Sequence, residues 1–265
     1  MFYLGCPQYD DATNLAKVFR RGKARTISNR RGAIVRRYEE YVARAPLLSG
    51  LPRFPVNQEA AALLRSLFDR TEPRRSLWPL RSLLMGRTRT CPQCRISEAF
   101  ELDHFLPKES YPEFSIYSQN LVPSCGRCNS LKGADDSARY LHAYYDEVPR
   151  RRFLNASVQL RPGNVWVSFT VDVTKIDAPL AEKIANQFTK LQLGERYSMQ
   201  ASEKLSSYAP SLERTFAAAG VAGVKADLRA LLRTTMNNGV NYWEVVFLIA
   251  LLTAQDYLNG GFRGL

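Results

Sequence analysis

Two Cys-x-x-Cys pairs, Cys91/Cys94 and Cys125/Cys128, bracket the stretch CPQCRISEAFELDHFLPKESYPEFSIYSQNLVPSCGRCNSLKG, residues 91–133. Two such knuckles together offer four soft thiolates, which is the ligand set of a tetrahedral Zn²⁺. A site filled by four cysteines keeps no open position, so its role is structural rather than catalytic. The alternative is a pair of redox dithiols, but that chemistry normally uses a single Cys-x-x-Cys beside a βαβ pattern. The gap of 30 residues between the pairs exceeds zinc-ribbon spacing, so the insert must fold as a unit of its own. The fifth cysteine, Cys6, has no such partner and is expected to be a buried thiol.

A second set of residues is interleaved with the cysteines. Asp103 and His104 end a short strand-like run after Phe100 and Leu102, and Asn120 precedes a second short strand at Leu121-Val122. Asn129 follows the last cysteine, where a short helix begins. Carboxylate and amide oxygens are hard ligands suited to Mg²⁺ or Mn²⁺ and not to the thiolate metal. An imidazole titrates near neutral pH, so His104 is a candidate base. Each of these residues alone is an ordinary loop, turn or cap residue. The chemistry is read from the set and its frame.

The order C-x-x-C, D-H, N, C-x-x-C-N, K resembles the HNH (ββα-metal) endonucleases, in the subgroup that carries a Cys₄ zinc. The resemblance covers about one sixth of the chain. It implies that His104 is the general base activating water against a phosphodiester. It also implies that Asp103 and Asn129 hold one divalent ion, Mg²⁺ or Mn²⁺, that Asn120 fixes the histidine loop and ring, and that Lys132 contacts a phosphate. The third motif position is Asn129 where many members carry His. The style of the motif is similar to free-standing prokaryotic HNH proteins, some of them anti-phage defence nucleases, so a defence role is the implied pathway, with a regulatory protein partner as one means of restraint.

Charge agrees with a polyanionic partner. The chain of 265 residues carries net charge +12, with a pI near 9.7, and this favours nucleic acid first and an acidic membrane surface second. From Ala12 to Tyr38 there is no acidic residue, and the nine basic ones include Arg21, Arg30, Arg31, Arg36 and Arg37. Such a run is expected to neutralise DNA phosphates with salt-dependent affinity, the alternative being a solvated basic face. Few cysteines, four of them placed as ligands, fit a reducing compartment. No apolar run reaches the ~18 residues of a membrane span. The N-terminus has no basic start followed by an apolar segment, so a cytoplasmic protein is expected.

Hydrophobic spacing predicts helices over about 13–21, 30–44, 57–70 and 76–86, and a further one over 135–147 that would carry His142 in a packing or surface role. Pro46, Gly50, Pro52 and Pro55 mark a loop. Val165, Val167, Phe169, Val171 and Val173 alternate as a strand, paired with one near 157–161 through a turn at Pro162-Gly163-Asn164. Trp166 falls on the opposite face, with base stacking a lesser expectation than cover by a helix. Asp177 is an N-cap, helices follow over about 195–207, 211–219 and 222–236 with breaks at Pro210 and between 219 and 222, and an all-apolar helix over 242–258 must be buried.

These readings give a mainly α chain (α+β overall) with a small zinc-bound ββα-metal centre and one β-hairpin. The expected domains are a basic helical region at 1–86, the nuclease domain at 87–147, and a hairpin plus helical lobe at 148–265. A zinc-stapled DNA-binding or adaptor protein with an inert centre is the rival, and RNA in place of DNA stays open.

Overall fold

The computed structural model describes residues 2–20, 22–45, 47–161 and 164–263. Phe2–Glu147 makes one compact unit and the chain from Val148 onward makes another. The expected positions Arg21, Pro46, Pro162 and Gly163 lie outside the described residues.

In the first unit, helix α1 (Asp11–Phe19) is capped by Asp10, whose carboxylate accepts from Thr13 N at 2.9 Å. It buries Leu15, Val18 and Phe19. Where a break was expected, Gly22–Arg30 winds as tight 3₁₀ turns that bury Ala24 and Ile27. Helix α2 (Arg31–Arg44) buries Ile34, Arg37, Tyr38 and Tyr41, a stripe at i, i+3, i+4 and i+7. Helix α3 (Gln58–Ser66) starts at Asn57, which accepts from Ala60 N, and runs on as 3₁₀ turns to Thr71. Helix α4 (Trp78–Met85) tolerates Pro79 in its first turn, where the missing N–H has no helical partner to lose.

Strands β1 (Glu101–His104) and β2 (Leu121–Ser124) pair antiparallel, with Asp103 opposite Val122 and His104 opposite Leu121. Leu80 and Leu84 of α4 pack on Leu102 and Leu121, so a hydrophobic plug backs the hairpin. Helix α5 (Gly126–Lys132) follows β2 at once and completes the ββα unit. The helix expected over 135–147 is not formed. Asp135 accepts from Ser137 N, Asp146 accepts from His142 N, and Ala138 takes a left-handed φ of +54°. These local side-chain bonds offer the backbone an alternative to the helical ladder.

In the second unit, β3 (Leu154–Arg161) and β4 (Asn164–Val171) pair from Leu154↔Val171 to Arg161↔Asn164. Val165, Val167 and Phe169 are buried and Trp166 is exposed, as the alternation requires. Helix α6 (Ala178–Lys190) begins after Asp177, whose side chain makes no capping bond. Of the three helices expected next, the first two run on as one, and the third follows a kink between 219 and 222 as expected; together they make α7 (Leu193–Thr235). Pro210 lies inside it, and the chain turns only at Gly220, whose φ of +58° and ψ of −154° suit glycine. Helix α8 (Trp243–Thr253) buries apolar residues all round, α7 contacting β4 and α8 contacting β3. The fold is therefore mainly helical with two small antiparallel hairpins. Among the described residues no helix is long and apolar enough to cross a membrane.

Candidate functional site

The four sulfurs of Cys91, Cys94, Cys125 and Cys128 lie within 4.8 Å of one another, all buried, and none is in a disulfide. A Zn–S bond of about 2.3 Å sets tetrahedral sulfurs about 3.8 Å apart. Cys94 and Cys125 stand at 3.9 Å, so the cluster fits a zinc ion. The first knuckle closes through Arg95, which takes a left-handed φ of +58° and donates its N–H to Cys91 O at 2.8 Å. The second knuckle is the start of α5, where Cys125 Sγ accepts from Cys128 N at 3.5 Å. Cys6 stands apart and half-buried, its thiol donating to Tyr144 O.

At the end of β1, His104 Nε2 lies 2.9 Å from the carbonyl oxygen of Ser115. A carbonyl only accepts, so Nε2 carries the proton and Nδ1 is the free lone pair. Among the described residues Nδ1 has no hydrogen-bond partner. Phe68 packs against the ring, with centroids 4.5 Å apart. Burial pushes the imidazole down to about 3, and Lys108 and Lys132 act in the same direction, so it is neutral at physiological pH.

Asn120 is fully buried and makes four bonds. Its Oδ1 accepts from Leu106 N at 2.8 Å and Tyr41 Oη at 3.2 Å, and its Nδ2 donates to Leu106 O at 3.0 Å and Phe114 O at 3.4 Å. It thereby clamps both ends of the loop that presents the Ser115 carbonyl to His104. Tyr41 Oη also meets His142 Nε2 at 2.9 Å, which places the second histidine in the packing behind the loop. That is a packing role, on a turn and not on a helix.

Asp103 is buried. Its Oδ1 accepts from Lys132 Nζ at 3.2 Å and its Oδ2 from Gln93 Nε2 at 3.4 Å. Burial raises its carboxyl pKa while Lys132 opposes the rise. Asn129 donates Nδ2 to Glu101 Oε2 at 2.7 Å, which leaves its amide oxygen for another partner. Asp103, His104 and Asn129 line one open cleft of about 270 Å³, with Phe68, Lys108 and Glu109 at its walls. The oxygens of Asp103 and Asn129 are donors of the type a hard divalent ion takes.

Two cations are not where a phosphate contact would need them. Lys132 is 4% exposed, and its ammonium is spent on Asp103 and on His104 O at 2.7 Å. Its place at the inward end of α5 dictates this. Arg37, on the inner stripe of α2, gives Nε and Nη2 to Glu113 Oε1 at 3.1 Å and also meets Glu40 and Pro52 O. Arg31 and Arg36 are exposed, and Arg30 Nη1 reaches Pro55 O at 3.4 Å. Glu101, at the start of β1, holds the Asn129 amide. The Ser115 carbonyl and Gln93 escaped sequence reasoning. A backbone oxygen carries no side-chain signal, and Gln93 sits among the knuckle residues, where only the folded cage aims it at Asp103.

No family model matches the chain, and no solved structure does. Among curated proteins it is similar to Protein ea31 of Escherichia phage lambda, 27% identical over 218 residues that cover 74% of this chain and 71% of that protein. It is also similar to Septu protein PtuB of Bacillus thuringiensis, 46% identical over 50 residues. That match covers 18% of this chain and a fifth of PtuB's own length, 20%.

Proposed function

We propose that the chain is a metal-dependent HNH endonuclease that hydrolyses DNA phosphodiester bonds, with the Cys₄ cluster as its structural zinc site. One observation carries the reading: a neutral histidine with its Nδ1 free, oriented through Nε2 by a carbonyl that Asn120 holds in place, opens on a cleft with two hard-oxygen residues. His104 Nδ1 takes a proton from water as the water oxygen bonds to phosphorus. The Ser115 carbonyl, accepting from Nε2, steadies the ring and favours the imidazolium that results. Asp103 and Asn129 are the residues that would hold Mg²⁺ or Mn²⁺, and such an ion supplies charge to offset that on the phosphate and leaving oxygen. Lys108, at the cleft wall, adds fixed positive charge toward the phosphate. The P–O3′ bond breaks and leaves a 5′-phosphate and a 3′-hydroxyl. Relatives in a phage and in a bacterium support a role in conflict between the two. Restraint of host damage by a protein partner belongs to the same proposal.

A second reading, a zinc-stapled DNA-binding adaptor with an inert centre, is favoured by Lys132, whose ammonium already sits on the Asp103 carboxylate. A plasmid-nicking assay with Mg²⁺ or Mn²⁺ separates the two, on protein of known zinc content and DNA affinity. Relaxed circles from wild type and none from His104→Ala support the nuclease. Equal cutting by both proteins sinks the assignment of His104. No cutting by zinc-loaded, DNA-binding wild type favours the adaptor.

A further inference from the structure

Within the first unit but outside that cleft, a second cavity of about 290 Å³ opens beside the last turns of α1 and the turn that leads into α4. Lys17, in the last turn of α1, and Arg20, its C-cap, line it together with Arg70. No carboxylate is among its lining residues, and among the described residues none of the three cations makes an ion pair. Basic residues at a helix C-terminus ordinarily complement the dipole and stay solvated. Three that converge on one concavity without an acid repel one another until an anion enters.

The cations are not the whole of the site. Arg70 is held in place: its Nη1 donates to Val18 O at 3.5 Å and its carbonyl accepts from Leu77 N at 2.9 Å. Asn14, one turn before Lys17, also lines the cavity; it is nine-tenths buried, and its Nδ2 has no hydrogen-bond partner. Rotation about its last torsion, which is soft, turns that N–H toward an oxygen in the cavity. Ser76 adds a hydroxyl, and Val18 and Leu77 supply an apolar wall.

Guanidinium forks, an ammonium, an amide N–H and a hydroxyl make a set of donors matched to phosphate oxygens. The volume is at the small end of ligand sites, room for a phosphate with part of a sugar. A terminal phosphate carries three free oxygens and a charge of about −1.5 to −2, against two oxygens and a single charge for an internal diester, so it is the better match to three cations and their neighbouring donors. We infer that this cavity binds a terminal phosphate monoester, carried by a free nucleotide or by the 5′ end of a nucleic acid strand. The inference is independent of the nuclease reading, because it concerns binding alone and none of the cleft residues.

Calorimetric titration of wild-type protein without added Mg²⁺ or Mn²⁺ tests it, with inorganic phosphate, AMP, and a short single strand bearing either a 5′-phosphate or a 5′-hydroxyl. Saturable binding of AMP or preference for the 5′-phosphorylated strand is expected, falling about tenfold in Arg70→Gln and in Lys17→Gln. AMP alone identifies the free nucleotide as the source, and preference for the phosphorylated strand identifies the nucleic acid end. Lys17 is exposed, so its variant guards against loss of fold at Arg70. Absence of saturable binding by all phosphate probes, or binding that neither folded variant weakens, overturns the inference.

Discussion

The two units treat buried polar atoms in opposite ways. Among the described residues, fourteen buried polar or charged side chains belong to the first unit and three, Lys183, Gln187 and Arg196, to the second. Burying a polar group costs free energy unless it is hydrogen-bonded, and a satisfied network then fixes one geometry. The second unit holds together by apolar surface, with α8 as its plainest case, and apolar contacts are non-directional. The first spends its interior on directional bonds around Asn120, Asp103 and Arg37. The difference says where geometry, rather than mere stability, is being maintained.

The largest test of that contrast is at the cage. Cys91→Ser combined with Cys128→Ser should abolish zinc content and remove on the order of 10 kcal/mol of metal-linked folding free energy from the first unit. Scanning calorimetry should show the second unit's transition unmoved. Joint loss of both transitions would break the comparison. Next comes Arg37→Met, which strands the buried Glu113 carboxylate and should cost about 3–5 kcal/mol. Arg31→Met, on the exposed face of the same helix, should cost within about 0.5 kcal/mol, both read from urea midpoints.

A smaller effect concerns binding. Reversing Arg30, Arg31 and Arg36 to Glu should weaken DNA affinity and lower the slope of log K against log salt by up to about 3. An unchanged slope removes α2 from the DNA surface. The last test is of pH. Asp11 accepts from Ser118 N at 2.9 Å and Ser118 Oγ at 2.6 Å, and burial pushes its carboxyl up to about 6. The native state therefore binds the proton more tightly than the unfolded chain, so stability falls as pH rises from about 4 to about 6 and is flat above. Asp11→Asn should flatten that window, removing a slope worth up to about 3 kcal/mol. The second unit, with no buried carboxylate among its described residues, should show no such slope.

Local chemistry was legible in the sequence and long-range pairing was not. The cysteine spacing led to the cage because ligand type and turn geometry are local properties, and the alternation around Val167 led to the second hairpin for the same reason. Arg37 shares the inward stripe of Ile34 and Tyr41, so its burial was signalled, but a run of nine basic residues hid the signal and its partner Glu113 is far along the chain. Lys132 looked like a phosphate ligand because nothing in the sequence shows that α5 points its end at Asp103. Pro210 looked like a break, yet a long helix accommodates it, and Gly220 does the turning.

Helix α5 starts from Cys125 and carries Cys128 and Asn129 on successive residues, so no flexible link separates the cage from the cleft. If the thiols hold zinc, a newly made chain cannot assemble the cleft of Asp103, His104 and Asn129 before metal is delivered. A cell short of zinc, or one whose thiols are oxidised, then keeps the chain with that cleft unmade, and metal supply becomes a checkpoint on folding.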